Sequence, residues 1–196
     1  DHPLIGLEPG RNALNPDIAQ LIFSDKLKCI LRKFFPNGYQ VIKSIYFDKP
    51  PTANWIVNWH QDLTINLKEK KDVEGFKNWR VTAERVIVQP PVEFLERILT
   101  VRIHLDDCTK ENGALRVIEG SHKKGIIPIK SWMKSKNGQE RICEVGRGGV
   151  LLMNPLTLHA SKRSENQKNR RVIHIEFTDQ ELPRGLDWKE ALVVHS

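Results

Sequence analysis

From residue 39 onward the chain is built of short β-branched and aromatic runs, each closed by glycine, proline, asparagine or a charged loop. YQVIKSIYF (39–47) ends at DKPPTAN, WIVNWHQDLTINL (55–67) at the charged loop KEKKDVEGFKNW (68–79), and VTAERVIVQ (81–89) at a proline pair. LTVRIHLDD (99–107) alternates cleanly before the turn CTKENGA, and LRVIEG leads into SHKKG. GGVLLMN (148–154) reads as a buried strand that PLTLHAS (155–161) continues, and RRVIHIEF (170–177) as a last strong strand. Runs of this period and spacing predict a mainly β, antiparallel sandwich or barrel. Helix is expected chiefly at the start. Residues 16–35 carry Ile18, Leu21, Ile22, Leu27, Ile30, Leu31, Phe34 and Phe35 at near-helical spacing. They form one helix, or two broken near Ser24, and PNG at 36–38 stops it. PPVEFLERI predicts a second, short helix opened by its prolines.

The 196 residues suit a single domain (1–196): a helical region to about 37, a β core over about 38–178 and a tail from 179. No apolar run approaches the roughly 18 to 20 residues of a membrane span. The net charge of +7 raises nucleic acid as a partner. However, the lysines and arginines are scattered, without interleaved aromatics. A positive mouth that draws an anionic small-molecule substrate is the favoured reading. Cys29, Cys108 and Cys143 are odd in number and far apart, which indicates neither a Cys-x-x-Cys metal site nor a disulfide framework. They read as reduced, mostly buried thiols of a cytoplasmic protein.

Chemistry enters at NWHQDLTINL (58–67). In a strand, residues i and i+2 share a face, so His60 and Asp62 project together and Gln61 points away. Alone, the triplet is equally a strand with a salt-bridged histidine. Of the remaining histidines, His159 closes the run GGVLLMNPLTLH and is the best third ligand. Two histidines and one carboxylate form a facial triad that leaves coordination positions open on iron. Arg170 follows His159 by eleven residues, and a strand starting there can run back beside it. A guanidinium offers a fork for a carboxylate, and Ser161, two after His159, adds a hydroxyl. Arg170 and Arg171 alternate faces, so only one points inward. Arg102 and His104 share a face of LTVRIHLDD, but alternation leaves open whether that face is inside. With Asn58, two before His60, they are the candidates for lining a substrate pocket.

His60-Gln61-Asp62, NGALRVIEGSHKKG (112–125) and His159 with Arg170 eleven later together resemble the phytanoyl-CoA dioxygenase family. The resemblance runs from about residue 16 to Phe177. It implies a double-stranded β-helix (jelly roll) and an Fe(II)-, 2-oxoglutarate- and O₂-dependent oxygenase. It also implies His60, Asp62 and His159 as iron ligands, Arg170 as the partner of the far 2-oxoglutarate carboxylate, and Ser161 as a nearby hydroxyl. Trp79 falls close to an aromatic that lines the co-substrate site in some members. Gly120, Ser121 and His122 match a turn motif, so His122 is not a ligand. The retained Asp62 implies hydroxylation, since halogenating members carry a small residue there. Members carry more N-terminal helical sequence than is present here. The rivals are a non-catalytic cupin-like metal-binding module, a metalloenzyme that uses no 2-oxoglutarate, and nucleic-acid binding driven by the net charge of +7, including an oxygenase acting on modified nucleobases.

Overall fold

The computed structural model describes residues 24–50, 55–135, 137–166 and 168–194. The expected helix at 16–35 is seen from its break. Helix α1 (Asp25–Phe34) starts at Ser24, whose Oγ accepts the Leu27 N–H at 3.4 Å. The earlier part of that expectation lies outside the described residues.

The strands are β1 (Tyr39–Lys49), β2 (Val57–His60), β3 (Ile65–Leu67), β4 (Lys77–Val81), β5 (Val86–Gln89), β6 (Ile98–His104), β7 (Leu115–Ile118), β8 (Glu140–Cys143), β9 (Val150–Met153), β10 (His159–Ser161), β11 (Arg170–Thr178) and β12 (Leu192–Val194). Two further short helices, α2 (Val92–Glu96) and α3 (Ile129–Ser135), precede β6 and β8. The sheets have the orders β12-β1-β11-β6-β9, β2-β10-β7-β8 and β3-β5-β4. Every pairing between these strands is antiparallel. The first two sheets are the two leaves of the expected jelly roll.

β11 explains why the largest sheet holds both a core and a site. Its residues 173, 175 and 177 are Ile, Ile and Phe, and they pack with Leu27, Leu31, Tyr39 and Val101 into an apolar cluster beneath α1. Its residues 170, 174 and 176 are Arg, His and Glu, on the opposite face, and they too are buried. The register continues this division across the sheet. Lys49 pairs with Arg170, Lys43 with Glu176, Ile45 with His174, His104 with Val172 and Arg102 with His174. The face bearing Arg102 and His104 is therefore the inner, polar one, which settles what alternation left open. A second cluster, including Ile65, Leu67, Val88, Phe94, Leu156 and Trp188, packs around the three-stranded sheet.

Five readings are corrected. The run 55–67 is two strands, because β2 ends at His60 and Asp62 lies in the connection to β3. The charged segment 68–79 already contains the start of β4. PLTLHAS does not continue β9. Pro155 cannot donate to a ladder, and Asn154 Nδ2 bonds the carbonyls of Leu95, Glu96 and Ile98, near the end of α2. The chain turns there and β10 joins the other leaf. β9 is also less buried than expected, with Val150 40% exposed at the sheet edge. Of the cysteines, only Cys108 is buried; Cys29 is exposed and Cys143 intermediate.

Candidate metal centre

His60 at the end of β2 and His159 at the start of β10 are directly paired, with ring centroids 4.1 Å apart. Asp62 reaches the same point because its backbone N–H bonds the Pro155 carbonyl at 2.9 Å. The Asn154–Pro155 turn that separates β9 from β10 therefore also seats the carboxylate. Gln61, facing away and 7% exposed, ties this segment down. Its amide donates to the Gly125 and Leu156 carbonyls at 2.8 and 2.6 Å and accepts the Ile127 N–H at 2.7 Å.

His60 Nδ1 lies 2.7 Å from the Asn58 carbonyl and His159 Nδ1 2.8 Å from the Thr157 carbonyl. A carbonyl only accepts, so each Nδ1 carries the proton and each Nε2 is left with a bare lone pair. The two Nε2 atoms stand 3.6 Å from Asp62 Oδ1 and Oδ2 respectively. That is too long for a hydrogen bond. One ligand atom from each residue falls within 4.8 Å of the others. Two bare imidazole nitrogens and a carboxylate around one point, with both tautomers fixed by backbone, fit a divalent first-row metal. Burial pushes the His159 pKa down to about 4, against the pull of Asp62, so the ring is neutral and free to ligate. Burial raises the Asp62 carboxyl, but the histidines around it and Lys43 outweigh that and hold it below its ordinary value.

Asp62, His174 and Glu176 also lie within ligand distance of one another. That group is already occupied by protein. Lys43 Nζ contacts both Glu176 oxygens at 2.8 Å and the Thr64 carbonyl at 3.2 Å. An arginine can only donate, so Arg102 Nη1 donates to His174 Nδ1 at 3.0 Å, and His174 Nε2 in turn donates to Glu176 at 3.1 Å. The result is a buried chain of bonds under the metal triad.

The other expected residues fall as follows. Arg170 is 7% exposed on the inner face, its Nη1 on the Gly113 carbonyl at 2.7 Å. Arg171 faces outward and forms a bidentate pair with Asp106 at 2.7 and 2.9 Å. Ser161 is buried on the same strand as His159. Trp79 is half-buried and, with Asp62, Asn78, Arg80 and Gln89, lines a cavity of about 610 Å³ that Arg170 does not line. Asn58 is exposed, and what it gives the site is the carbonyl that orients His60. Arg102 and His104 are buried. In the GSH turn, Ser121 Oγ donates to the Ile118 carbonyl and accepts the Leu158 N–H, which joins the end of β7 to the approach of His159. Sequence reasoning passed over Lys43, Lys49, His174 and Glu176. The signal was their parity with Arg170 on β11 and across the pairing of β1 with it.

Fold and site together define a class, jelly rolls that bring two histidines and a carboxylate to one point. The profile of the phytanoyl-CoA dioxygenase (PhyH) family matches residues 11–172, and the chain belongs to that family. Phytanoyl-CoA dioxygenase domain-containing protein 1 of Danio rerio is 23% identical over 197 residues, 92% of this chain and 60% of the relative. Its counterpart in Mus musculus is 22% identical over 183 residues, 86% and 55% of the two chains. The chain thus spans about three-fifths of the curated relatives' length. Among solved structures, AviO1 from Streptomyces viridochromogenes Tue57 superposes with a TM-score of 0.58 at 21% identity, over 88% of this chain and 65% of that one. HygX from Streptomyces hygroscopicus, with nickel and 2-oxoglutarate bound, gives 0.58 at 16% identity over 94% and 78%. Likeness at these identities establishes the shared fold.

Proposed function

We propose that the protein is an Fe(II)- and 2-oxoglutarate-dependent dioxygenase that hydroxylates an anionic small molecule. The observation that carries this reading is the convergence of two bare Nε2 atoms and Asp62 on one point, with Arg170 buried on the facing leaf. HygX binds 2-oxoglutarate in the same fold, which supports this choice of co-substrate.

His60, Asp62 and His159 would hold the metal, leaving positions for the keto-acid end of 2-oxoglutarate and for O₂. Bound there, iron would let O₂ act as the oxidant, one of its oxygen atoms going to 2-oxoglutarate as that is decarboxylated to succinate and CO₂ and the other to a substrate C–H bond. The chain's own part is placement. Arg170, fixed by the Gly113 carbonyl, sets the far carboxylate. The Asn58 and Thr157 carbonyls hold the ligand tautomers. His60 and Asp62 are more open than His159, at 38%, 28% and 6% side-chain exposure, so substrate approaches from their side. The 610 Å³ cavity beside Asp62 suits a small molecule. The scatter of the lysines and arginines along the sequence argues against nucleic acid. The free thiols suit a reducing, cytoplasmic setting.

Anaerobic titration of 2-oxoglutarate into the Fe(II)-loaded protein, followed by visible absorption, tests the reading. A charge-transfer band is expected, lost with His159→Ala. With Arg170→Ala it should need about 30-fold or more co-substrate, the cost of deserting a buried charged group. Iron binding without a band would refute 2-oxoglutarate as co-substrate. No iron binding would refute the metal centre.

A further inference from the structure

We infer that Arg102 is a second guanidinium for the dicarboxylate, gripping the carboxylate at the metal end while Arg170 holds the far one. This deepens the reading above and rests on it. The starting point is an imbalance of charge on the inner face. Lys49, Arg102 and Arg170 are 1%, 8% and 7% exposed. Among the described residues their hydrogen-bond partners are neutral: the Lys162 carbonyl for Lys49, His174 Nδ1 for Arg102, and the Gly113 carbonyl and Cys108 thiol for Arg170. Glu176, the buried carboxylate facing them, is already matched by Lys43. Asp62 remains, and it belongs to the metal triad. Buried cations without counter-ions cost several kcal/mol each, so this face is built for an anion.

Unused donors say where the anion goes. Nε of Arg102 and Nε of Arg170 are buried without a partner, and so are both ring nitrogens of His104 between them. The register sets the order along the leaf. Arg102 stands beside His174, and His174 is within ligand distance of Asp62. Arg170 lies four residues further along β11, about 13 Å at the rise of a strand, a gap that two arginine side chains reaching toward each other shorten. A molecule bound at the triad and reaching for Arg170 therefore passes Arg102 first and His104 next. Arg102 is fixed for this task on two sides, by its bond to His174 and by the Phe47 ring 5.5 Å from its Cζ. Its remaining donors are left for a ligand. It is a positioning residue, distinct from Arg170 in the end of the ligand it serves.

The test compares two acids on the Ni(II)-loaded chain by calorimetry. 2-Oxoglutarate has both carboxylates; 2-oxobutyrate keeps the keto-acid end and lacks the far one. Arg102→Gln is expected to weaken both acids by the same factor, about 30-fold or more, and Arg170→Gln to weaken 2-oxoglutarate alone. Ni(II) affinity checks that the triad is intact. Arg102→Lys, which keeps the charge and loses the fork, should show a smaller loss, again equal for the two acids. Unchanged affinities in Arg102→Gln, or a loss confined to 2-oxoglutarate, would overturn the assignment. A wild type that binds Ni(II) but neither acid would overturn the oxygenase reading instead.

Discussion

Lys43→Met should expose how much of the inner face depends on one ammonium group. Lys43 Nζ bonds both oxygens of Glu176, a residue 2% exposed, and the Thr64 carbonyl. Removing one partner of a buried ion pair costs about 3–5 kcal/mol, because the other charge is left without a counter-ion. Total stability for a domain is only about 5–15 kcal/mol. At about 2–4 °C per kcal/mol for a chain of this size, the melting temperature should fall by roughly 6–20 °C. The pH dependence fixes the cause. Burial alone would raise the Glu176 carboxyl, but Lys43 and the bond from His174 together outweigh it and hold the pKa below the ordinary value. In the wild type this contributes stability above the unfolded-state pKa that is lost as pH falls through the folded one. Without Lys43 the pKa rises, and the stability that Glu176 contributes at high pH is lost. The deficit of Lys43→Met should therefore be larger at pH 8 than at pH 5, measured by thermal circular dichroism with a chelator present. Lys43→Met/Glu176→Gln, which removes the orphan charge and keeps an acceptor for His174, should recover most of the loss. A single variant within about 2 °C of wild type at pH 8, or a deficit that does not shrink at pH 5, would refute the reasoning.

Two further outcomes are expected. Burial, with Arg102 and Arg170 adding to it, lowers the His104 pKa to about 4, so between about pH 6.5 and 4 the unfolded chain takes up a proton that the folded one refuses. Stability should drop across that window by up to about 3 kcal/mol on this account. The urea midpoint should follow that fall, and His104→Asn should flatten the curve, leaving the parallel contribution of His159. Gln61→Ala should lower metal affinity by about 10- to 100-fold in a chelator competition, though Gln61 touches no metal-ligand side chain, because it removes the bonds that hold the segment between His60 and Asp62. Wild-type affinity in that variant would show that the backbone alone seats the triad.

The β architecture was legible because it is written locally, in alternation and in turn residues. The convergence of His60, Asp62 and His159 was legible because His60 and Asp62 are close in sequence and His159 and Arg170 complete a recognisable spacing. The reasoning for the pair was only half right, however. Asp62 lies past the end of β2, and a proline carbonyl from the β9–β10 turn brings it into place. That turn was misread as continuous strand because LLMNPLTLH is apolar on both sides of it. The inner ion pairs were not legible. Lys43 and Glu176 are 133 residues apart, and their meeting depends on a register that includes an irregularity between Val41 and Lys43. Arg102 and His104 were recognisable as a pair, but the sequence of one strand says nothing of which face another sheet covers.

β11 carries hydrophobic core on one face and charged groups of the site on the other along nine residues. Such a strand leaves little room for evolutionary drift. An insertion or deletion of one residue would exchange the two faces, putting Phe177 in the polar interior and Arg170 against α1, and would abolish folding and ligand binding together. A descendant of this chain can therefore vary β11 by substitution but not by a change of length. Changes of length cost least instead in exposed stretches such as 68–72, which pack against neither face.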